Sequence, residues 1–250
     1  MADSSDHSSD SSSERRGLGA VVLHVMRNRM EAALFVTRGV TLVLTFVYLL
    51  GIWSPASAYQ KALVAAAATS ALRLHQRLPP FRLSREFLAL VVTEDSAHYL
   101  LYALLFASNA PLALALLPVA LFAGLHFASF GITLADKLGS GELFSSFANA
   151  IQRHQRSVLQ TVALTEIALM PAVVLALLSG SASLLAPFLF YRFLALRYAS
   201  RRNPYTRQMF YELRVSAERM STAGACPALL GRAIRNVIEL MGRLAPPIVQ

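Results

Sequence analysis

The sequence predicts an all-α, multi-pass integral membrane protein, built of helical hairpins followed by C-terminal amphipathic helices. Three observations predict it. The first is where the charges fall. Breaks between apolar runs at 54–57, 109–111 and 179–181 carry no charge, whereas 73–85, 137–156 and the region after Arg192 hold the basic residues. Such alternation follows when a chain enters a bilayer as hairpins, with tight turns on one side and basic segments on the cytosolic side. The second is composition: 55% of residues are hydrophobic, 15% are charged, and the mean hydropathy is +0.49. Soluble domains carry about 25% charged residues. The third is a net charge of +9 made almost wholly of arginine, with lysine only at Lys61 and Lys137. The planar guanidinium binds phosphate headgroups bidentately, so anionic membrane lipid is the expected partner. Nucleic acid, the other usual partner of a basic chain, does not fit the apolar excess, and none is expected.

The elements follow in order. Residues 1–16 are rich in serine and aspartate and have no apolar stretch. They read as a disordered tail and not as a signal peptide, and with a basic lead-in they occupy 1–30. The membrane domain is 31–198. A helix needs roughly 20 apolar residues to cross the hydrocarbon core. The first candidate is 34–53, whose only charge, Arg38, is expected to snorkel from near one end. The alanine-rich stretch 58–72 is short, carries Lys61, and is expected to lie at the interface or dip in. The third segment is 87–108, with Glu94 and Asp95 inside it; the fourth, 111–135, has no formal charge. An uncharged run from 96 to 135 would be about 60 Å long as one helix, twice the bilayer core, so it must fold back, and Asn109-Ala110-Pro111 supplies the turn. The fifth segment, 158–178, contains Glu166 and Pro171; the sixth, 182–196, is interrupted by Arg192. Paired as three hairpins, these leave between three and six full spans, the rest being one-leaflet wedges.

Residues 199–250 form a basic, amphipathic cytosolic region. Tyr205, Met209, Leu213 and Ala217 recur every four positions. Further on, Leu230, Ile234, Val237, Ile238 and Met241 share one helical face, opposite Arg232, Arg235, Glu239 and Arg243. This is the composition of a helix lying on a membrane surface; packing of the two helices on each other or on the bundle, as an ordinary small domain, is the alternative. Cys226 is the only cysteine, which excludes an internal disulfide, and the chain has no Asn-x-Ser/Thr sequon. Both features fit a protein with little lumenal mass. Cys226 beside an amphipathic helix is either a lipidation site or an inert thiol.

The sharpest chemical cluster is Glu94, Asp95 and His98, with Glu94 and His98 one helical turn apart. Acids at membrane depth mark functional sites by default. A catalytic metal centre needs three protein ligands, and no second histidine pair stands at matching spacing. The expectation is an intramembrane polar network of Glu94, Asp95, His98, Glu166 and Arg192. Glu94 and Asp95 would answer arginines near Arg73 or Arg85, and Glu166 would pair with Arg192 or Arg38. Lipid or partner binding falls to Arg73, Arg77, Arg82, Arg85, Arg197, Arg201 and Arg202. In the last helix it falls to Arg232, Arg235 and Arg243, with Ile234 and Ile238 on the apolar side. The same arginines set topology. No nucleophile elbow, P-loop, Rossmann glycine pattern or HExxH motif is present, so no catalytic, cofactor-binding or metal residue is predicted and no enzymatic activity is expected. The rival reading is a channel or transporter using Glu94, Asp95, His98 and Glu166; a hydrated path joining them would favour it, and a paired network would favour a scaffold.

The stretch Thr69-Ser70-Ala71-Leu72-Arg73-Leu74-His75-Gln76-Arg77-Leu78-Pro79, with Leu83-Ser84-Arg85 after it, resembles the transmembrane protein 33 family, called Krüppel homologue 2 in insects and with pore-membrane relatives in yeast. So do Glu94-Asp95-Ser96, His98-Tyr99-Leu100-Leu101-Tyr102, Met170-Pro171, Tyr191-Arg192-Phe193-Leu194, Leu196-Arg197-Tyr198, Ser200-Arg201-Arg202-Asn203-Pro204-Tyr205 and Glu212-Leu213-Arg214. The resemblance runs from about residue 34 to residue 244. It implies a multi-pass protein of the endoplasmic reticulum and nuclear envelope, linked to reticulon-type tubule-shaping proteins, membrane curvature and nuclear pore distribution. For animal members it also implies links to the unfolded-protein response and calcium handling. It implies no enzymatic activity and no cofactor.

Overall fold

The computed structural model describes residues 17–52, 54–80, 84–200, 202–222 and 227–244. Among them there are helices and turns and no strand, as expected of an all-α membrane protein. The helices are α1 (Leu18–Arg27), α2 (Arg29–Leu49), α3 (Pro55–Arg77), α4 (Arg85–Thr93), α5 (Asp95–Ala107), α6 (Leu116–Leu138), α7 (Gly141–Leu178), α8 (Leu185–Ala199), α9 (Tyr205–Thr222) and α10 (Ala228–Leu244). A single 3₁₀ turn, Ala113–Ala115, leads into α6.

The hairpins are present. α3 packs between α2 and α5, α5 against α8, and α8 against α7, while α6 lies along α2 and α7. The uncharged turns gather at one end: the Ser183 amide donates to Asn109 Oδ1 at 2.8 Å, tying the turn before α6 to the turn before α8. At the opposite end, Arg77, Glu94 and Arg202 meet. The charge alternation in the sequence is therefore a segregation in space.

Length and composition distinguish the segments. Arg29–Leu49, Ala113–Leu138 and Phe144–Leu178 are long and apolar enough to cross a bilayer, and Arg85–Thr93 with Asp95–Ala107 passes the same test as a pair. That pair is bent by 77°, so the expected single segment 87–108 is two helices. The bend is at Glu94, whose backbone is extended and whose carboxylate takes two arginines.

α7 also differs from expectation. The basic stretch 137–156 reads as a loop, yet Gly139 and Ser140 alone separate α6 from α7. Gly139 adopts a left-handed φ of 93°, which closes α6 without a Cβ clash. From there α7 runs 38 residues, about 57 Å against a core of about 30 Å, so it projects well beyond the bilayer. The lead-in before residue 30 is helical too: α1 lies against α6, and the Gly17 amide donates to the Lys137 carbonyl at 2.9 Å.

The core is aromatic. Tyr102, Phe106, Phe190 and Phe193 are buried between α5 and α8, with Phe190 and Phe193 stacked at 5.5 Å. α2 crosses α6 at Gly39, where a Cβ would stand 3.0 Å from the Phe127 ring. That ring in turn stacks on Phe35 at 4.2 Å. With lipid outside, helices gain by close van der Waals approach, and small residues permit it.

Candidate functional site

α5, α7 and α8 bring the charged residues together at the arginine-bearing end of the bundle. Glu166 on α7 is fully buried, and Arg197 on α8 is 1% exposed. Arg197 Nε donates to Glu166 Oε2 at 3.2 Å, and its Nη1 donates to Asp95 Oδ1 at 3.3 Å. Ser200 Oγ donates to the same Asp95 oxygen at 2.9 Å. The Tyr99 hydroxyl donates to Glu166 Oε1, and the Arg197 guanidinium lies 5.1 Å from the centre of the Tyr99 ring. One arginine thus holds two acids from two helices, with a hydroxyl for each acid.

A second cluster lies beside it. Glu94 Oε2 accepts from Arg202 Nη1 at 2.6 Å and from Arg77 Nη1 at 3.2 Å. The carboxylate raises the Arg202 guanidinium above its ordinary value by hydrogen bond and charge. His98 is 2% exposed and donates from Nε2 to the Val92 carbonyl at 2.7 Å; its Nδ1 is 3.7 Å from Asp95. Among the described residues no group of three or more histidines, cysteines or acids is placed to hold a metal.

Glu94, Asp95 and Glu166 each meet an arginine, in two adjoining clusters with His98 beside Asp95, and the cation that takes Asp95 and Glu166 is Arg197, not the expected Arg192. Arg192 is exposed and takes no part. The helix explains the exchange: Phe190, Phe193, Leu194 and Arg197 recur at helical spacing on the buried face of α8, and Arg192 falls off that face. Arg197 was legible at that spacing. Arg85 is exposed at the start of α4, and Arg77, close to Arg73, is the α3 arginine that answers Glu94. Arg38 does not snorkel to an end. α2 begins at Arg29, well before the apolar run, so Arg38 falls inside the helix and is 3% exposed.

Arg38, Arg73, Arg77, Arg197 and Arg202 all line one cavity of about 310 Å³ between α2, α3, α5 and α6. Arg73 is half-buried there. Arg82, Arg201 and Cys226 lie outside the described residues. In α10, Arg232 is exposed, and Arg243 is exposed and pairs with Glu239 at 2.6 Å. Arg235 and Ile238 line a groove against α9, and Ile234 and Ile238 are only half-buried. α10 rests on α9 by this flank, while Leu229, Val237, Leu240 and Met241 stay exposed. Ile238 therefore contributes to helix packing as well as to the apolar face assigned to it.

An all-α bundle with three helices fit to span, an internal ion-pair network and surface amphipathic helices defines a multi-pass membrane protein. The family profile described as Transmembrane protein 33/Nucleoporin POM33 matches residues 13–247, and the chain belongs to that family. It is 45% identical over 238 residues to Transmembrane protein 33 of Mus musculus, covering 93% of this chain and 96% of the mouse protein. It is 39% identical over 228 residues to Krueppel homolog 2 of Drosophila melanogaster (90% and 82% covered), and 38% identical over 231 residues to the Transmembrane protein 33 homolog of Caenorhabditis elegans (90% and 85%). No solved structure matches the chain.

Proposed function

We propose that this is a non-enzymatic protein of the endoplasmic-reticulum and nuclear-envelope membrane that shapes or organises that membrane, in tubule morphology and nuclear pore distribution. The family name, which includes a nucleoporin, supports the location. The observation that carries the shaping role is α10. Its flank is used against α9, yet Val237 and Leu240 remain more than half exposed beside an arginine-rich face. An apolar stripe left open in this way inserts into the headgroup boundary and responds to curvature. α4 adds a second element: bent 77° from α5, it leaves Leu88, Leu90 and Val92 exposed. The arginine-bearing end would face the cytosol and engage anionic lipid, and with it reticulon-type membrane-shaping proteins or nuclear pore components.

The pairing of the acids supports a scaffold over the transport reading. Glu94, Asp95 and Glu166 each hold an arginine, as in a scaffold. The test is reconstitution of the full chain into liposomes containing anionic lipid, viewed by electron microscopy. Tubules or a shift to small diameters are expected, and the double change Val237→Asp, Leu240→Asp should remove them. Unchanged liposomes at high protein-to-lipid ratio would refute the shaping role.

A further inference from the structure

We propose that the cavity between α2, α3, α5 and α6 is a binding site for a phosphate group, carried by an anionic lipid headgroup or by a small soluble phosphate. Its wall holds five arginines and a single acid, Asp95. The acids nearby are already committed: Asp95 and Glu166 to Arg197, Glu94 to Arg77 and Arg202. Arg38 and Arg73 are left with no carboxylate in ion-pair range among the described residues, Glu31 acting on them only at a distance. Arg38 Nη2 and Arg197 Nη2 are buried with no hydrogen-bond partner. Burying a cation without a counter-charge is expensive, and a protein keeps one where something else supplies the charge.

The geometry fits an oxyanion. Arginine forks bind phosphate oxygens bidentately. α5 begins at Asp95, and Asp95, Ser96 and Tyr99 all line the cavity, so the positive end of that helix adds to the field. The volume of about 310 Å³ is at the small end of ligand pockets. Val119, Phe122, Ala123 and Leu159 form an apolar wall where the glycerol or acyl end of a lipid would rest. The inference rests on the proposed engagement of anionic lipid by the arginine-bearing end, but not on the shaping role, since a bound phosphate needs no effect on curvature.

The test uses the full chain in a neutral detergent, with dioctanoyl phosphatidic acid, dioctanoyl phosphatidylcholine, glycerol 3-phosphate and inorganic phosphate as probes, read by native mass spectrometry and thermal shift. Binding of phosphatidic acid without glycerol 3-phosphate or inorganic phosphate identifies a lipid headgroup. Comparable binding of the soluble phosphates identifies a free phosphate ligand. Arg38→Met keeps the side chain's bulk and removes its charge. It should weaken binding roughly ten- to a hundred-fold, the loss expected for a charge-assisted hydrogen bond. It should leave the probe-free protein as stable as the parent or more so. Arg192→Met, on the exposed face of α8, should bind within about two-fold of the parent. Should Arg38→Met fail to fold, Arg73→Gln on the half-buried rim carries the same expectation. No binding of any probe, or parental affinity in the folded Arg38 or Arg73 variant, overturns the proposal.

Discussion

Arg202 Nη1 donates to Glu94 Oε2 at 2.6 Å, and this bond joins the segment between α8 and α9 to the break between α4 and α5. The two residues are 108 positions apart, and their contact ties the start of the C-terminal region to the bundle. Glu94 also holds Arg77 at 3.2 Å, so α3, the α4–α5 break and the segment before α9 meet at one carboxylate.

Removing that carboxylate should loosen α9 before it unfolds the bundle. The Glu94 side chain is 9% exposed, but those of Arg77 and Arg202 are 44% and 54% exposed, so solvent screens the pairs. Glu94→Gln is expected to cost about 1–2 kcal/mol, and Arg202→Ala about half of that, both shrinking at high salt. Hydrogen exchange at the start of α9 should rise in both variants. Unaltered exchange there would mean that α9 is held by Thr206 and Met209 packing alone.

The inner pair should behave differently. Arg197→Ala strands Glu166 in a fully buried site and leaves Asp95 with Ser200 as its hydrogen-bond donor. A loss of roughly 3–5 kcal/mol is expected, as when a buried pair loses one partner. Arg192→Ala, exposed on the same helix, should stay within about 0.5 kcal/mol. Replacing both charges, Glu166→Leu with Arg197→Met, should recover much of the loss. Detergent unfolding of the four proteins checks the ordering; equal stability of the Arg192 and Arg197 single variants would refute it.

How much of this was legible depends on what each feature needs. The helical, membrane-type architecture was, because apolar runs and the uncharged breaks between them mark it. The acids of the polar clusters were legible, since Glu94, Asp95 and Glu166 stand out in apolar runs, as does His98. The cation of Asp95 and Glu166 was misread because Arg192 interrupts the apolar run of α8, while Arg197 follows it; the run shows which charge is conspicuous, and the helix phase shows which is buried. The break at Glu94 left no local mark, having neither glycine nor proline. Arg77 and Arg202, which meet the Glu94 carboxylate at the break, come from elsewhere in the chain. The cavity was out of reach for the same reason: its arginines come from α2, α3, α8 and the segment after α8.

The α2–α6 crossing should be sensitive to one methyl group. Gly39→Ala places a Cβ 3.0 Å from the Phe127 ring, which Phe35 holds from stacking distance. A cost of about 1–3 kcal/mol is expected, as for overpacking. Gly19→Ala, with open space around its Cβ, should be neutral or slightly stabilising through helix propensity. Thermal unfolding in detergent compares them. If Gly39→Ala is neutral, the crossing is looser than the Gly39–Phe127 distance implies.

The spatial segregation of the gaps predicts topology. Glycosylation acceptors placed at positions 55, 110 and 180 should be modified where the tight turns allow access, and acceptors at 139–141 or at the C-terminus should not. Modification at 139–141 or at the C-terminus would place an arginine-bearing segment in the lumen and overturn the hairpin parity.

The final prediction concerns α10. Leu229 is 80% exposed, Val237 54% and Leu240 55%, so this face has no partner within the described residues. Arg232, Arg235 and Arg243 lie off that face, Arg235 and Arg243 along the α9 groove. Each arginine near an anionic surface contributes about 1 kcal/mol, falling with salt, and the apolar face supplies a salt-resistant remainder. A peptide spanning 227–244 should gain helicity on anionic vesicles, prefer small vesicles over large, and keep part of its binding at high salt. Ile234→Asp with Ile238→Asp should abolish binding, but Ile238 also lines the α9 groove, so in the full chain that change disturbs packing as well. Val237→Asp with Leu240→Asp is the cleaner pair, since both side chains point away from α9. Retained binding in that pair, or no binding by the parent peptide, would mean that the exposed stripe serves a protein partner and not the bilayer.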